Sequence, residues 1–235
     1  MRHLADEPLP QTTPARPSRR AFSWAPGNRV LNAGSSSLSY GPNFVNVDIQ
    51  DKDGVDLVCD IHELPPDIGQ FDAVICNAAL QYCHSPHQVA AEFMRVLKPG
   101  GLLFIDAPWV QPFCEDTADR HRYSEAALRH IFQEFEIIES GPSILPGSAL
   151  SMLCIHIAGS MTSNKYINHA LRLTARLLTL PLRAIRTTQP HKTAGAFYLI
   201  ARRGPLFAQA FAPKPTPPSA PPTRRVSVPR YSHHG

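Results

Sequence analysis

The sequence predicts an α/β fold, a doubly wound and mostly parallel sheet. Its first crossover helices are reduced, and a helical insertion precedes its last strand. Two observations carry this. Short apolar runs recur at 29–31, 44–47, 56–59, 71–76 and 101–105, and they are continuous rather than alternating, as strands covered on both faces require. Helical patterns then alternate with strand patterns, which is the mark of βαβ units.

The first helix is expected after Ser85-Pro86, where proline fits the first turn. Val89, Phe93, Val96 and Leu97 repeat at helical spacing, and Lys98-Pro99-Gly100-Gly101 ends the run. A second helix is expected from Ser124, as N-cap, through Ala127, Leu128, Ile131 and Phe132, followed by a strand at 135–138. The early connections are short. Nine residues separate Gly34 from Phe44 and six separate Ile49 from Asp56, whereas a parallel crossover takes about a dozen. The first two connecting helices must therefore shrink to turns.

Thirteen of the 24 prolines lie before Gly27 or after Arg203. The expected organisation is a proline-rich tail at 1–27, one folded domain at 28–203 with its helical insertion at about 148–187, and a basic proline-rich tail at 204–235. Five cysteines without paired spacing argue for a reducing compartment. No apolar run reaches about 18 residues, as a spanning helix requires, and the start carries Asp6 and Glu7 rather than a secretory pattern. A cytoplasmic location is expected. Charge is split along the chain. All 19 acids fall at or before Glu139 beside 11 Lys and Arg, and 12 Lys and Arg with no acid follow. Such a back half suits an anionic partner surface.

Ligands of parallel α/β sheets bind at the carboxyl ends of the strands. Here those ends read Asn32-Ala33-Gly34-Ser35, Asp48-Ile49, Asp60-Ile61, Asn77-Ala78 and Asp106-Ala107-Pro108. A carboxylate after the second strand suits ribose hydroxyls, and one after the third suits an adenine amino group. Gly34 lets the backbone approach a ligand closely. A dinucleotide site is disfavoured, because there is one glycine and too little chain for the helix that would hold a pyrophosphate. Cys83, His84 and His87 lack the fourth ligand of a structural zinc site.

The stretch from Phe71-Asp72-Ala73-Val74 to Arg95-Val96-Leu97-Lys98-Pro99-Gly100-Gly101 resembles the "FDxVxxxxxLxH…RVLKPGG" segment of class I S-adenosylmethionine-dependent methyltransferases, type 11 group. The resemblance runs from about 29 to 138, with 195–202 as the last strand. It implies methyl transfer with S-adenosyl-L-methionine as cofactor. Asn32, Gly34, Ser35, Asp48, Ile49, Asp60, Ile61 and Asn77 are then its binding residues. The family pattern has an acid at Asn32 and a second glycine at Ser36; asparagine can still hydrogen-bond the amino acid end of the cofactor.

A second stretch, 112–124, is similar to a "PYHxxPxDYxRFT" segment of methyltransferases found among glycan and cell-envelope biosynthesis proteins. Pro112, Asp119 and Arg122 match it, while Cys114 replaces a histidine, Thr117 a proline and Arg120 a tyrosine. This implies a sugar, a lipid-linked glycan or another small molecule as acceptor, with Trp109, Asp119, Arg122 and Tyr123 on its side. His121, Asp106 and Tyr123 are candidates for a general base. The alternative is a methyltransferase-like scaffold whose cofactor loop has decayed.

Lys165, Arg172, Arg176, Arg183 and Arg186 share one sector of a helix spanning 165–186, and leucines fill the rest. This predicts peripheral attachment to an anionic membrane surface, at the inner face, with Pro181 kinking the helix. No specific nucleic acid is expected.

Overall fold

The computed structural model describes residues 28–114, 118–185 and 187–204. The expected tails, Thr117 and Arg186 lie outside the described residues. Seven strands occur: β1 (Val30–Ala33), β2 (Phe44–Asp48), β3 (Leu57–Val58), β4 (Phe71–Asn77), β5 (Leu97–Pro108), β6 (Glu136–Ile144) and β7 (Ala196–Arg202). They form one sheet in the order β3-β2-β1-β4-β5-β7-β6. The first five are parallel, and β7 runs antiparallel between β5 and β6.

No described helix joins β1 to β2 or β2 to β3, as the short connections demand, and the third connection is also made of turns. Helix α1 (Pro86–Val96) starts at Ser85 with proline in its first turn. Helix α2 (Glu125–Ile131) is capped by Ser124, whose Oγ accepts from the Ala127 amide at 3.2 Å. Val89 and Phe93 of α1 and Leu128 and Phe132 beyond it are buried against Leu31, Val74, Leu103 and Leu199. Each such side chain contributes about 1.5–3 kcal/mol by leaving water. Val30, Phe44, Ala73, Ile75, Phe104 and Ile200 cluster on the opposite face.

The insertion is a helical hairpin, α3 (Pro146–Ser160) and α4 (Lys165–Leu178), beginning slightly before residue 148. The helix expected over 165–186 is not continuous. It ends at Leu178, and a 3-10 turn follows over Leu180–Ala184. Pro181 has no amide hydrogen to continue the helix, and the Thr179 hydroxyl bonds back to the Ala175 carbonyl at 2.7 Å. The hairpin closes tightly: Ser151 Oγ and Thr179 Oγ1 are 2.8 Å apart. Gly147 lies so near Leu182 that an added Cβ would sit 1.8 Å from its carbonyl oxygen. Because α3 follows β6 at the end paired with Ala196, the hairpin sits at the carboxyl end of β5.

Candidate active site

The β1–β2 loop is held by polar contacts to the end of β2. Gly34 has φ +71, and a Cβ there would lie 2.2 Å from the Ala79 Cβ. Its glycine is thus required by the neighbouring strand end as well as by the turn. The amides of Gly34 and buried Ser35 both donate to the Val47 carbonyl, at 2.8 and 3.0 Å. Asp48 Oδ2 accepts from the Ser36 amide at 2.8 Å and Oδ1 from the Gln50 amide at 2.9 Å.

Asn32 is buried, and its Nδ2 donates to the Leu38 carbonyl and to Asn46 Oδ1, both at 2.9 Å. Asn46 Nδ2 in turn reaches Asp56 Oδ2 at 3.0 Å. The Asn32 amide hydrogens therefore tie the loop to β2 instead of pointing to a ligand's amino acid end.

The next two strand ends are more open. Ile49, just past Asp48, is 67% exposed, while Ile61 is buried. Asp60 Oδ1 accepts from the His62 amide at 2.9 Å and from its Nδ1 at 2.5 Å. Burial works to raise the Asp60 pKa, but the hydrogen bonds from His62, with the neighbouring His84, bring it below the usual carboxylate range. His62 Nε2 accepts from the Ser85 amide at 3.2 Å, and its ring stacks on His84 at 3.9 Å. This locked Asp60–His62 pair was not picked out from sequence, although a histidine two residues after a carboxylate was the available signal. Asn77 ends β4 opposite Asp106 and is half-buried.

On the acceptor side, Arg122 clamps the chain after β5. It pairs with Asp119 through both guanidinium nitrogens, Nη2 at 2.7 Å from Oδ2, and also bonds the Pro112 and His121 carbonyls. Asp119 Oδ2 accepts from the Cys114 amide at 3.0 Å. Tyr123 is buried and its hydroxyl donates to the Leu80 carbonyl at 3.1 Å. Burial pushes its pKa well up, so Tyr123 fastens this segment and is unsuited to be a base. His121 Nε2 is buried without a hydrogen-bond partner among the described residues. Trp109 is partly exposed.

Asp106 as a residue is half-buried, but its carboxyl group lies deep, and burial raises its pKa to about 7 against the one hydrogen bond from Ser143 Oγ at 2.9 Å.

A cavity of about 750 Å³ lies between this segment and the hairpin, at the ends of β4 and β5. Gln81, Pro108 and Phe113 line one side; His156 of α3 and Lys165, Arg172 and Arg176 of α4 line the other. Asp119 and Arg122 both line it, while Asp106, Trp109, His121 and Tyr123 do not. Asp106 is on the same face of β5 as Pro108, one pleat further in. Gln81 and the cavity are not legible in the sequence pattern, whereas α3 belongs to the helical insertion expected there. Gln81 sits just past β4, the kind of strand-end position at which the other candidates were sought.

Residues 35–105 match the family model for a methyltransferase domain of the type 11 group. The match covers 71 of the chain's 235 residues. It spans β2 to β5 with the Asp48 and Asp60 strand ends, and stops just before Asp106. Over 72 residues the chain is 38% identical to an uncharacterized 37.1 kDa protein in transposon TN4556 of Streptomyces fradiae, covering 31% of this chain. The chain spans about a fifth of the length of that curated relative, 21%.

The fold is similar to a candidate sarcosine dimethylglycine methyltransferase from Galdieria sulphuraria, with TM-score 0.51, 13% identity, and 80% and 83% of the two chains covered. It is equally similar to the [4+2]-cyclase SpnF, with TM-score 0.51, 14% identity, and 80% and 81% covered. One fold therefore accompanies more than one chemistry, and these likenesses establish the architecture alone.

Proposed function

We propose that the protein is an S-adenosylmethionine-dependent methyltransferase whose acceptor enters the cavity between the 108–122 segment and the α3–α4 hairpin. The observation that carries this reading is the juxtaposition of two sites on one sheet edge. Gly34, Asp48, Ile49 and Asp60 stand at the ends of β1 to β3, within or beside the matched segment, and the cavity opens at the ends of β4 and β5.

The nucleoside half of the cofactor fits these residues. Each Asp48 oxygen accepts one backbone hydrogen bond and keeps a further lone pair, and the two bonds to Asp60 both fall on Oδ1. Exposed Ile49 offers an apolar face for a base. When bound, the cofactor supplies an electrophilic methyl carbon on a sulfonium. The chain's own work is then orientation, with the Asp119–Arg122 clamp shaping the acceptor wall. Asp106, one of the base candidates, lies off the cavity lining, so its raised pKa belongs to the sheet interior and gives no proton acceptor within reach of the substrate. The favoured acceptor is a sugar or lipid-linked glycan, supported by the likeness of 112–124 to glycan-associated methyltransferases.

We further propose that the hairpin rests on an anionic membrane surface, near the cytoplasmic face. Among the described residues no helix is long and apolar enough to cross a membrane. The outward side of α4 nevertheless exposes Tyr166 (75%), Leu177 and Leu178 (75%), and α3 exposes Ile157. A bilayer interface is the occupant that suits apolar side chains beside a back half without acids.

Calorimetry with S-adenosylmethionine and its demethylated product tests the central reading. Both nucleosides bind, and Asp48→Ala weakens binding by ~1.5–3 kcal/mol, the scale of charge-assisted hydrogen bonds. Absence of binding by both at millimolar concentration leaves the scaffold alternative.

A further inference from the structure

We infer that the cavity recognises a hydroxyl-bearing phosphate ester, a sugar carried on a phosphate or diphosphate, with the phosphate held by Arg172 and Arg176 and a hydroxyl donating to Gln81. The inference rests on the methyltransferase reading for the cavity's role, and on geometry of its own for the ligand class.

The charge on the lining is one-sided. Among the described residues, Lys165, Arg172, Arg176 and Arg122 line it with one carboxylate, Asp119, and that carboxylate is already paired with Arg122. The three cations of α4 are therefore without a carboxylate partner among the described residues of the lining. Arg172 and Arg176 are one helical turn apart, which sets their stems about 6 Å from each other. That spacing suits the oxygens of one phosphate or diphosphate, and planar guanidinium groups suit bidentate contact. Lys165 stands two turns earlier, about 10 Å along the axis, where it meets the far end of an elongated ligand.

Arg172 is held in place by the fold. Its guanidinium lies across Gly159 of α3, so that a Cβ at Gly159 would fall 2.2 Å from Arg172 Nε. A glycine at this helix position costs stability relative to alanine, and here its effect is to make room for a cation at the cavity wall. His156 lies beside it with Nε2 buried and unpartnered among the described residues; burial and then the Arg172 charge lower its pKa, which keeps the ring neutral.

The second determinant is independent of charge. Gln81 is 5% exposed, lines the cavity, and donates from Nε2 to the Ala78 carbonyl at 2.7 Å. A carbonyl oxygen can only accept, so this bond fixes which end of the amide faces it. Oε1 is left buried without a partner among the described residues. A buried acceptor of this kind costs stability until a donor reaches it, and a hydroxyl on the acceptor molecule supplies one. Cations on one wall and an orphan acceptor on the other together describe a hydroxylated phosphate better than either a bare anion or a neutral sugar.

The test uses the full chain, with glucose 1-phosphate, inorganic pyrophosphate, glucose and glucuronate titrated calorimetrically. Glucose 1-phosphate and pyrophosphate bind with affinity that falls as salt is added, and glucose does not bind. Arg172→Gln with Arg176→Gln weakens both phosphates at least tenfold without moving the melting temperature, since no residue of α4 is buried. Gly159→Ala, which displaces Arg172, weakens pyrophosphate as well. Gln81→Met weakens glucose 1-phosphate and leaves pyrophosphate unchanged. A polyprenyl phosphate in nanodiscs, compared with glucose 1-phosphate, distinguishes a lipid-borne source of the phosphate from a soluble one, and binding of either supports the inference. Glucose or glucuronate binding as tightly as the phosphates, or the double arginine variant binding pyrophosphate like the parent, overturns it. S-adenosylmethionine titrated alone in the same series separates this outcome from failure of the methyltransferase reading.

Discussion

Ser36 holds φ +50 while its amide donates to Asp48 Oδ2 at 2.8 Å. An L-residue in this left-handed region is strained by about 1–2 kcal/mol, and glycine is not. The carboxylate therefore keeps the loop in a conformation its own sequence disfavours. Ser36→Gly is expected to raise stability in urea denaturation by about 0.5–1 kcal/mol, the relief less the added unfolded-state entropy. Ser36→Val is expected to lower it. A glycine variant less stable than the parent would show that the loop is not strained.

Asp106 predicts an unusual pH dependence. Its folded pKa, about 7, stands above the ordinary value of 3.8, so folding takes up a proton between these values. The stability it contributes is complete below about pH 4 and is lost as pH rises toward 7. Asp106→Asn should raise the melting temperature at pH 8 relative to the parent and leave it nearly unchanged at pH 4. Equal melting shifts at both pH values would contradict the buried-acid account.

The Asp119–Arg122 pair has the opposite sign. The hydrogen bond from Arg122, set against some burial and aided by the Cys114 amide, lowers the Asp119 pKa. Its stabilisation is present above the unfolded carboxylate pKa and fades as pH falls through the folded one. Arg122→Ala should cost about 2 kcal/mol at pH 7, with less difference at pH 2–3. It should also slow turnover, because the 112–122 segment is the cavity wall. Loss of turnover with an unchanged melting temperature would mean the arginine acts on the acceptor and not on the loop.

Membrane attachment is separable from ligand charge. Co-sedimentation with anionic vesicles should fall with salt, and Leu177→Gln with Leu178→Gln should abolish it, since both leucines face outward. The same pair should leave pyrophosphate binding intact. Equal recovery with neutral and anionic vesicles sinks the attachment.

Local patterns in the sequence determined much of the architecture. Continuous apolar runs located β1 to β5, Ser85 and Ser124 marked helix starts, and chain length alone removed the first crossover helices. The strand-end residues Gly34, Asp48, Asp60, Asn77 and Asp106 were also legible, because a parallel sheet places every such end on one edge.

Only the tertiary structure decided what those side chains touch. The Asn32 amide meets Asn46 across 14 positions, Tyr123 meets Leu80 across 43, and Gly34 is needed because Ala79 comes against it. It also turned Lys165, Arg172 and Arg176 toward a cavity, where helical periodicity groups them on one sector expected to face an anionic membrane surface. Periodicity and capping act over a few residues. Partners far apart in the chain are set by sheet register and by how the hairpin folds back, which no local pattern encodes.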